Sequence, residues 1–156
     1  MKTRYYIAYG SNLNIPQMRM RCPQAKITGT SEIKDYELLF KGSQTGSYLT
    51  VEKKKGGSVP VAVWATTAAD EAALDRYEGF PTFYYKAEME LPVKSIHTGK
   101  VQNRKCYVYI MHEDRNIGSP SEFYVLTCLE GYKAFGFDEK ILMRAVKNSR
   151  RVNHEE

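Results

Sequence analysis

The run Arg4-Tyr5-Tyr6-Ile7-Ala8-Tyr9-Gly10-Ser11-Asn12-Leu13 changes character half-way along. Residues 4–9, apolar and aromatic after Arg4, read as a buried strand. Gly10-Ser11-Asn12 then breaks it, because glycine permits a sharp turn and Ser and Asn side chains cap backbone groups locally. A short helix follows. Asn14 is a good N-cap and Pro16 fits a first helical turn, while Pro23 disfavours helical geometry at Cys22, so the helix stops near Arg21.

Outward from this point the chain is rich in strands. Residues 25–40 end in Tyr36-Glu37-Leu38-Leu39-Phe40. Residues 47–53 and 59–66 read as two strands joined around a solvated tip, Lys53-Lys54-Lys55-Gly56-Gly57. Val59, Val61 and Val63 share one face, and Pro60 places that strand's start at an edge or ladder end. Thr67 or Asp70 caps a helix over 70–77 that Gly79 and Pro81 end, and residues 83–94 and 100–112 supply two more strands. Ser119-Pro120 then forms a cap and first turn. Tyr124, Val125, Cys128 and Leu129 fall on one helical face, Gly131 and Gly136 punctuate that region, and residues 138–147 make a closing helix. Strands first and helices last predict an α+β fold, a mixed sheet curled towards a barrel with helices at its side. One domain over 1–150 is expected, with a polar C-terminal tail over 151–156.

Composition narrows the function. The 156 residues carry 23 basic and 18 acidic side chains, a net charge of +5, but the positive charge is scattered and not interleaved with stacking aromatics. No nucleic-acid partner is expected. Cys22, Cys106 and Cys128 match no disulfide framework or CxxC pair and read as reduced thiols. Without a signal-peptide pattern or a long apolar run, the expectation is a cytoplasmic protein with no membrane partner. GxSxG, Walker and GxGxxG patterns are missing, and His97, His112 and His154 lack metal-ligand spacing, so no cofactor and no metal are expected.

Three segments carry chemistry-bearing groups. At Tyr9-Gly10-Ser11-Asn12-Leu13, exposed backbone N–H groups can face an anion or a polarised carbonyl, although an ordinary strand-to-helix turn has the same pattern. In Leu74-Asp75-Arg76-Tyr77-Glu78-Gly79-Phe80-Pro81, Glu78 sits at a helix end among aromatic residues. Desolvation and the helix dipole there raise a carboxyl pKa towards that of a neutral-pH general base; the alternative is a solvent-facing Glu78 or one paired with Arg76 or Lys86. In Pro120-Ser121-Glu122-Phe123-Tyr124, the Tyr hydroxyl can face a pocket floor, or the ring can serve as core.

Taken together these segments resemble the γ-glutamylcyclotransferase-like family. The resemblance rests on Tyr6-Ile7-Ala8-Tyr9-Gly10-Ser11-Asn12-Leu13, Arg21-Cys22-Pro23, Leu74 to Pro81 with Tyr84-Tyr85, Pro120-Ser121 to Tyr124, and Gly131-Tyr132. It implies a small mixed β-barrel with flanking helices, and release of an amine from a γ-glutamyl compound as 5-oxoproline forms. It implies Glu78 as the acid/base residue. It also implies a substrate-binding set of Tyr6, Ile7, Ala8, Tyr9, Gly10, Ser11, Asn12, Leu13, Tyr84 and Tyr124. A small γ-glutamyl substrate is the expected partner, with the leaving amine near residues 42–48 or 80–85, and a monomer or weak homodimer is expected. The alternative from another class is a catalytically silent module that binds the same kind of ligand.

Overall fold

Two long strands frame the molecule, whose computed structural model describes residues 2–43 and 46–155. In chain order the elements are β1 (Arg4–Ala8), a 3-10 turn (Ser11–Leu13), α1 (Ile15–Arg21), β2 (Lys26–Ser43), β3 (Gly46–Thr66) and α2 (Ala68–Glu78). Then come β4 (Tyr84–Ser95), β5 (Val101–Met111), β6 (Asn116–Ile117), α3 (Glu122–Phe135) and α4 (Glu139–Glu155). The strand order is β3-β1-β5-β4-β2-β6, and β2 also pairs with β3, so five strands close on themselves while β6 extends β2. β1 and β5 run parallel, and the other ladders among the described residues are antiparallel. The expected α+β mixed barrel with flanking helices is the observed fold.

The segment expected as two strands, 47–53 and 59–66, is a single strand, β3, and the lysine-rich stretch is a bulge within it. Ladder pairing runs to Lys34↔Ser58 and resumes at Tyr36↔Lys53, so residues 54–57 stand opposite Asp35 alone. Asp35 and Gly56 absorb the surplus by taking left-handed conformations, φ 62° and 84°, and the Gly56 N–H donates to Asp35 Oδ1 at 3.0 Å. Lys53, Lys54 and Lys55 are exposed there. The β2–β3 ladder continues to Ser43↔Gly46, and residues 44–45 between them lie outside the described residues.

Val59, Val61 and Val63 are fully buried, as their shared face predicts, but so are Ala62 and Trp64 on the other face. This part of β3 is covered on both sides, between β1 and β2. Pro60 pairs with Glu32 just beyond the end of the β1 ladder at Ala62, where no second neighbour needs its missing N–H.

The helices obey local capping chemistry. Asn14 Oδ1 accepts from the Gln17 N–H and caps α1, with Pro16 in its first turn. Thr67 and Asp70 cap α2 reciprocally, and Gly79, at φ 65°, ends it. The cap of α3 is Ser121 rather than Ser119: its hydroxyl accepts from the Tyr124 N–H, and Pro120 lies before the helix. Gly131 does not interrupt α3. It sits where a Cβ would lie 2.4 Å from Leu13 Cβ, so its missing side chain lets α3 close onto the 3-10 turn. Gly136 ends α3 at φ 71°, and α4 continues to Glu155, well past Lys147 and through residues expected as tail. Cys22, Cys106 and Cys128 are free and buried. No helix among the described residues is long and apolar enough to cross a membrane.

Candidate active site

The break after β1 and the end of α2 meet across a cavity of about 320 Å³. Tyr6, Tyr9, Gly10, Ser11 and Asn12 form one wall, and Tyr77 and Glu78 another. Tyr48 and Leu49 from the start of β3 complete it, with Phe83, Tyr84, Tyr109 and Tyr124.

Glu78 is the last residue of α2, held at the cavity because Gly79 turns the chain away in a left-handed conformation. The residue is half-buried and its carboxyl accepts no hydrogen bond from the described residues. Loss of water around it pushes its pKa up to about 8, with the Arg21 cation pulling part of the way back. The alternative pairing does not occur: Lys86 pairs instead with Glu71, at 2.8 Å, and with Asp75, at 3.0 Å.

The opposite wall is a set of donors with fixed orientations. The Leu13 N–H is already used by Gly10 O at 3.0 Å, and the Asn14 N–H by Ser11 O. The N–H groups of Gly10, Ser11 and Asn12 have no partner among the described residues, so the donor set is one residue shorter than the sequence suggests. Asn12 cannot flip: its Oδ1 accepts from Arg21 Nη1 at 2.6 Å while its Nδ2 donates to the Tyr6 hydroxyl at 2.8 Å. Arg21 also donates to Gln17 Oε1 at 2.9 Å, and its guanidinium lies 3.6 Å from the Tyr77 ring centroid. The Ser11 and Tyr77 hydroxyls are 3.0 Å apart. These contacts tie the donor wall to the helix end that carries Glu78.

The tyrosines divide by what their protons do. Tyr9 donates to Tyr109 O at 2.7 Å and Tyr84 to Leu49 O at 2.8 Å. Tyr6 and Tyr124 instead accept, from Asn12 and from the Leu49 N–H at 3.1 Å; Tyr6 keeps its proton to donate, while the Tyr124 hydroxyl also interacts with the Cys128 thiol. Burial holds all four hydroxyls well above the usual tyrosine pKa, with the Glu78 charge adding for Tyr6 and Tyr9, so all are protonated donors at neutral pH.

Of the residues expected in the site, Glu78, Tyr6, Tyr9, Gly10, Ser11, Asn12, Tyr84 and Tyr124 line the cavity. Ile7, Ala8 and Leu13 do not. Ile7 pairs with Val63 on the face opposite Tyr6, Ala8 is covered where it pairs with Ala62, and Leu13 packs against α3 at Gly131; none has exposed surface. The expected substrate-binding set omits Tyr48, Leu49, Tyr77, Phe83 and Tyr109, although Tyr48 and Phe83 fall within the stretches 42–48 and 80–85 expected near the leaving amine. Tyr109 had a usable signal: Tyr107 and Tyr109 alternate onto one face of a strand.

The profile of the family described as "Gamma-glutamyl cyclotransferase, AIG2-like" matches residues 6–125, most of the chain and both cavity walls. The chain belongs to this family. One γ-glutamyl cyclotransferase relative, named Gamma-glutamylcyclotransferase in Bos taurus, is 26% identical over 132 residues, covering 80% of this chain and 68% of the relative. Another of that name in Mus musculus is 27% identical over 146 residues, covering 89% and 75%. A solved structure titled Gamma-glutamyl cyclotransferase superposes with a TM-score of 0.79 at 24% identity, covering 92% of this chain and 86% of that one, a likeness of fold. The structure of an uncharacterized protein from Homo sapiens gives a TM-score of 0.78 at 25% identity, covering 93% and 87%.

Proposed function

We propose that this protein is a γ-glutamyl cyclotransferase that closes the γ-glutamyl group of an amide into 5-oxoproline and releases the amine, with Glu78 moving the protons. The observation that carries this reading is a desolvated carboxyl with its pKa pushed up to about 8, sharing one small cavity with Gly10, Ser11 and Asn12, whose N–H groups have no partner among the described residues.

The substrate's α-amine nitrogen attacks its own γ-carbonyl carbon, forming the ring C–N bond. The nucleophile belongs to the substrate, so the site needs only to fold the glutamyl arm into the attacking conformer. That amine enters protonated. Glu78, its pKa pushed up to about 8, is a stronger base for that proton than an ordinary carboxylate. Negative charge builds on the carbonyl oxygen, where one well-placed donor is worth roughly 3 kcal/mol. The Gly10–Asn12 amides and the Tyr6 hydroxyl are the available donors. Collapse of the tetrahedral intermediate breaks the original amide C–N bond, and the two protons shed by the ring nitrogen, one before attack and one after it, pass by way of Glu78 to the departing nitrogen, which leaves as an ammonium ion. No water is consumed, and Glu78 ends as it began.

Incubation with a panel of γ-glutamyl amines, assayed for 5-oxoproline and free amine in equal amounts, tests the reading. Saturable binding of the same compounds without 5-oxoproline would instead identify a silent binding module.

A further inference from the structure

Asp75 stands one turn before Glu78 on the same face of α2, and Glu71 one turn before that. The three carboxyls meet different fates. Glu71 accepts from Arg4 Nε at 2.7 Å and lies 2.8 Å from Lys86 Nζ, so it fastens the first half of α2 to β1 and β4. Asp75 docks where two neighbouring strands meet. Lys86 of β4 and Tyr109 of β5 are direct partners in the ladder, and both reach it. The Tyr109 hydroxyl donates to Asp75 Oδ1 at 2.6 Å, and Lys86 Nζ lies 3.0 Å from the same oxygen. Arg4, Lys86, Glu71 and Asp75 thus balance their charges among themselves, while Glu78 forms no ion pair among the described residues.

Tyr109 is itself part of the cavity wall. Its carbonyl accepts from the Tyr9 hydroxyl at 2.7 Å, and its ring lies edge to face with those of Tyr6 and Phe80, at centroid distances of 5.9 and 6.4 Å. Burial and the Asp75 acceptor hold its proton well above the usual tyrosine pKa, so at neutral pH this hydroxyl is spent on Asp75. Lys86 braces the chain beyond Glu78 as well: its Nζ lies 4.5 Å from the Phe80 ring centroid, and the Phe80 N–H donates to the Asp75 carbonyl at 2.9 Å. Arg21 and Ser11 tie Tyr77 to the donor wall, and Asp75 ties the same helix end to β4 and β5. Proton transfer needs the Glu78 carboxyl within hydrogen-bond reach of the reacting nitrogens, and a misplacement of about 1 Å costs on the order of a hundredfold in rate.

We infer that Asp75 is a positioning residue for the cyclisation, which by docking on Lys86 and Tyr109 sets the place of the Glu78 carboxyl against the substrate's nitrogens. This rests on the cyclotransferase reading above.

The test follows 5-oxoproline release from whichever γ-glutamyl amine of the panel the wild type turns over fastest. In Asp75→Ala, kcat should fall at least about tenfold while KM changes less than about threefold, at a temperature where urea denaturation shows the variant fully folded. Asp75→Asn keeps an oxygen for the Tyr109 hydroxyl and should recover part of the loss. Tyr109→Phe removes the same hydrogen bond from the other side, so the Ala/Phe double variant should lose much less than the product of the two single losses. An unchanged kcat in Asp75→Ala, a loss carried by KM, or single losses that multiply in the double variant overturns the inference. Should the Ala variant fail to fold, Asp75→Asn replaces it in the same cycle with Tyr109→Phe. If the wild type turns over no compound of the panel, the cyclotransferase reading fails and the inference with it; turnover that the Asp75 variants leave intact overturns the inference alone.

Discussion

The guanidinium of Arg21 stacks on the ring of Tyr77 at 3.6 Å, immediately beside Glu78 in the chain. The same group grips Asn12, so one cation braces both walls of the cavity and biases the Glu78 carboxyl towards its charged form. Arg21→Met should lower kcat/KM about ten- to a hundredfold, the worth of a charge-assisted hydrogen bond. It should also move the limb of the pH–rate profile governed by Glu78 to higher pH. An unmoved limb would show that Arg21 serves only the fold.

The raised pKa of Glu78 makes stability depend on pH. Unfolded, this carboxyl loses its proton near 4.5, whereas folded it holds it to about 8. Between these values the folded state binds more protons, so stability falls as pH rises through the window, by an amount on the order of a few kcal/mol. Glu78→Gln removes that dependence. Urea denaturation should find the variant about as stable as wild type at pH 4.5 and more stable at pH 8.5.

Tyr124 holds the buried start of β3 by accepting the Leu49 N–H. Tyr124→Phe leaves that N–H unpaired, a loss of roughly 1–3 kcal/mol in denaturation experiments. It also removes a cavity-lining hydroxyl, so kcat should fall by more than the stability loss alone explains at temperatures where the variant is fully folded.

Gly131 is the point where α3 touches the 3-10 turn. An alanine methyl there would meet Leu13 Cβ at 2.4 Å and the Leu13 carbonyl carbon at 2.6 Å, and backbone has little room to give. Gly131→Ala should destabilise the fold by roughly 1–3 kcal/mol. Because the displaced turn carries Ser11 and Asn12, turnover should drop as well.

Much of this arrangement was legible in the chain because its signals are local. Asn14 and Pro16 start α1, Thr67, Asp70 and Gly79 bound α2, and β1 breaks where Gly10 stands. Glu78 was legible for the same reason, as a carboxylate at a helix end in an aromatic run. What escaped depended on distant partners. The bulge at residues 54–57 arises from Asp35, which lies across the ladder, and the same glycine-rich composition also suits a turn. Ser121 rather than Ser119 caps α3, because it is the Ser121 hydroxyl that reaches the Tyr124 N–H, and the chain offers two serines flanking Pro120 for that role. Ile7, Ala8 and Leu13 share a motif with true cavity residues, but strand alternation and the α3 contact bury them. The Arg21–Asn12–Tyr6 link joins three elements, and no spacing announces it.

The central claim is that one buried carboxyl moves the protons of lactam closure. Glu78→Gln is nearly isosteric and keeps a polar group, so the fold and affinity for a γ-glutamyl amine should persist while kcat falls about a hundred- to ten-thousandfold. Single-turnover release of 5-oxoproline by a folded Glu78→Gln protein measures this directly. A rate above about a tenth of wild type would contradict the account, because general acid–base catalysis is worth far more than that.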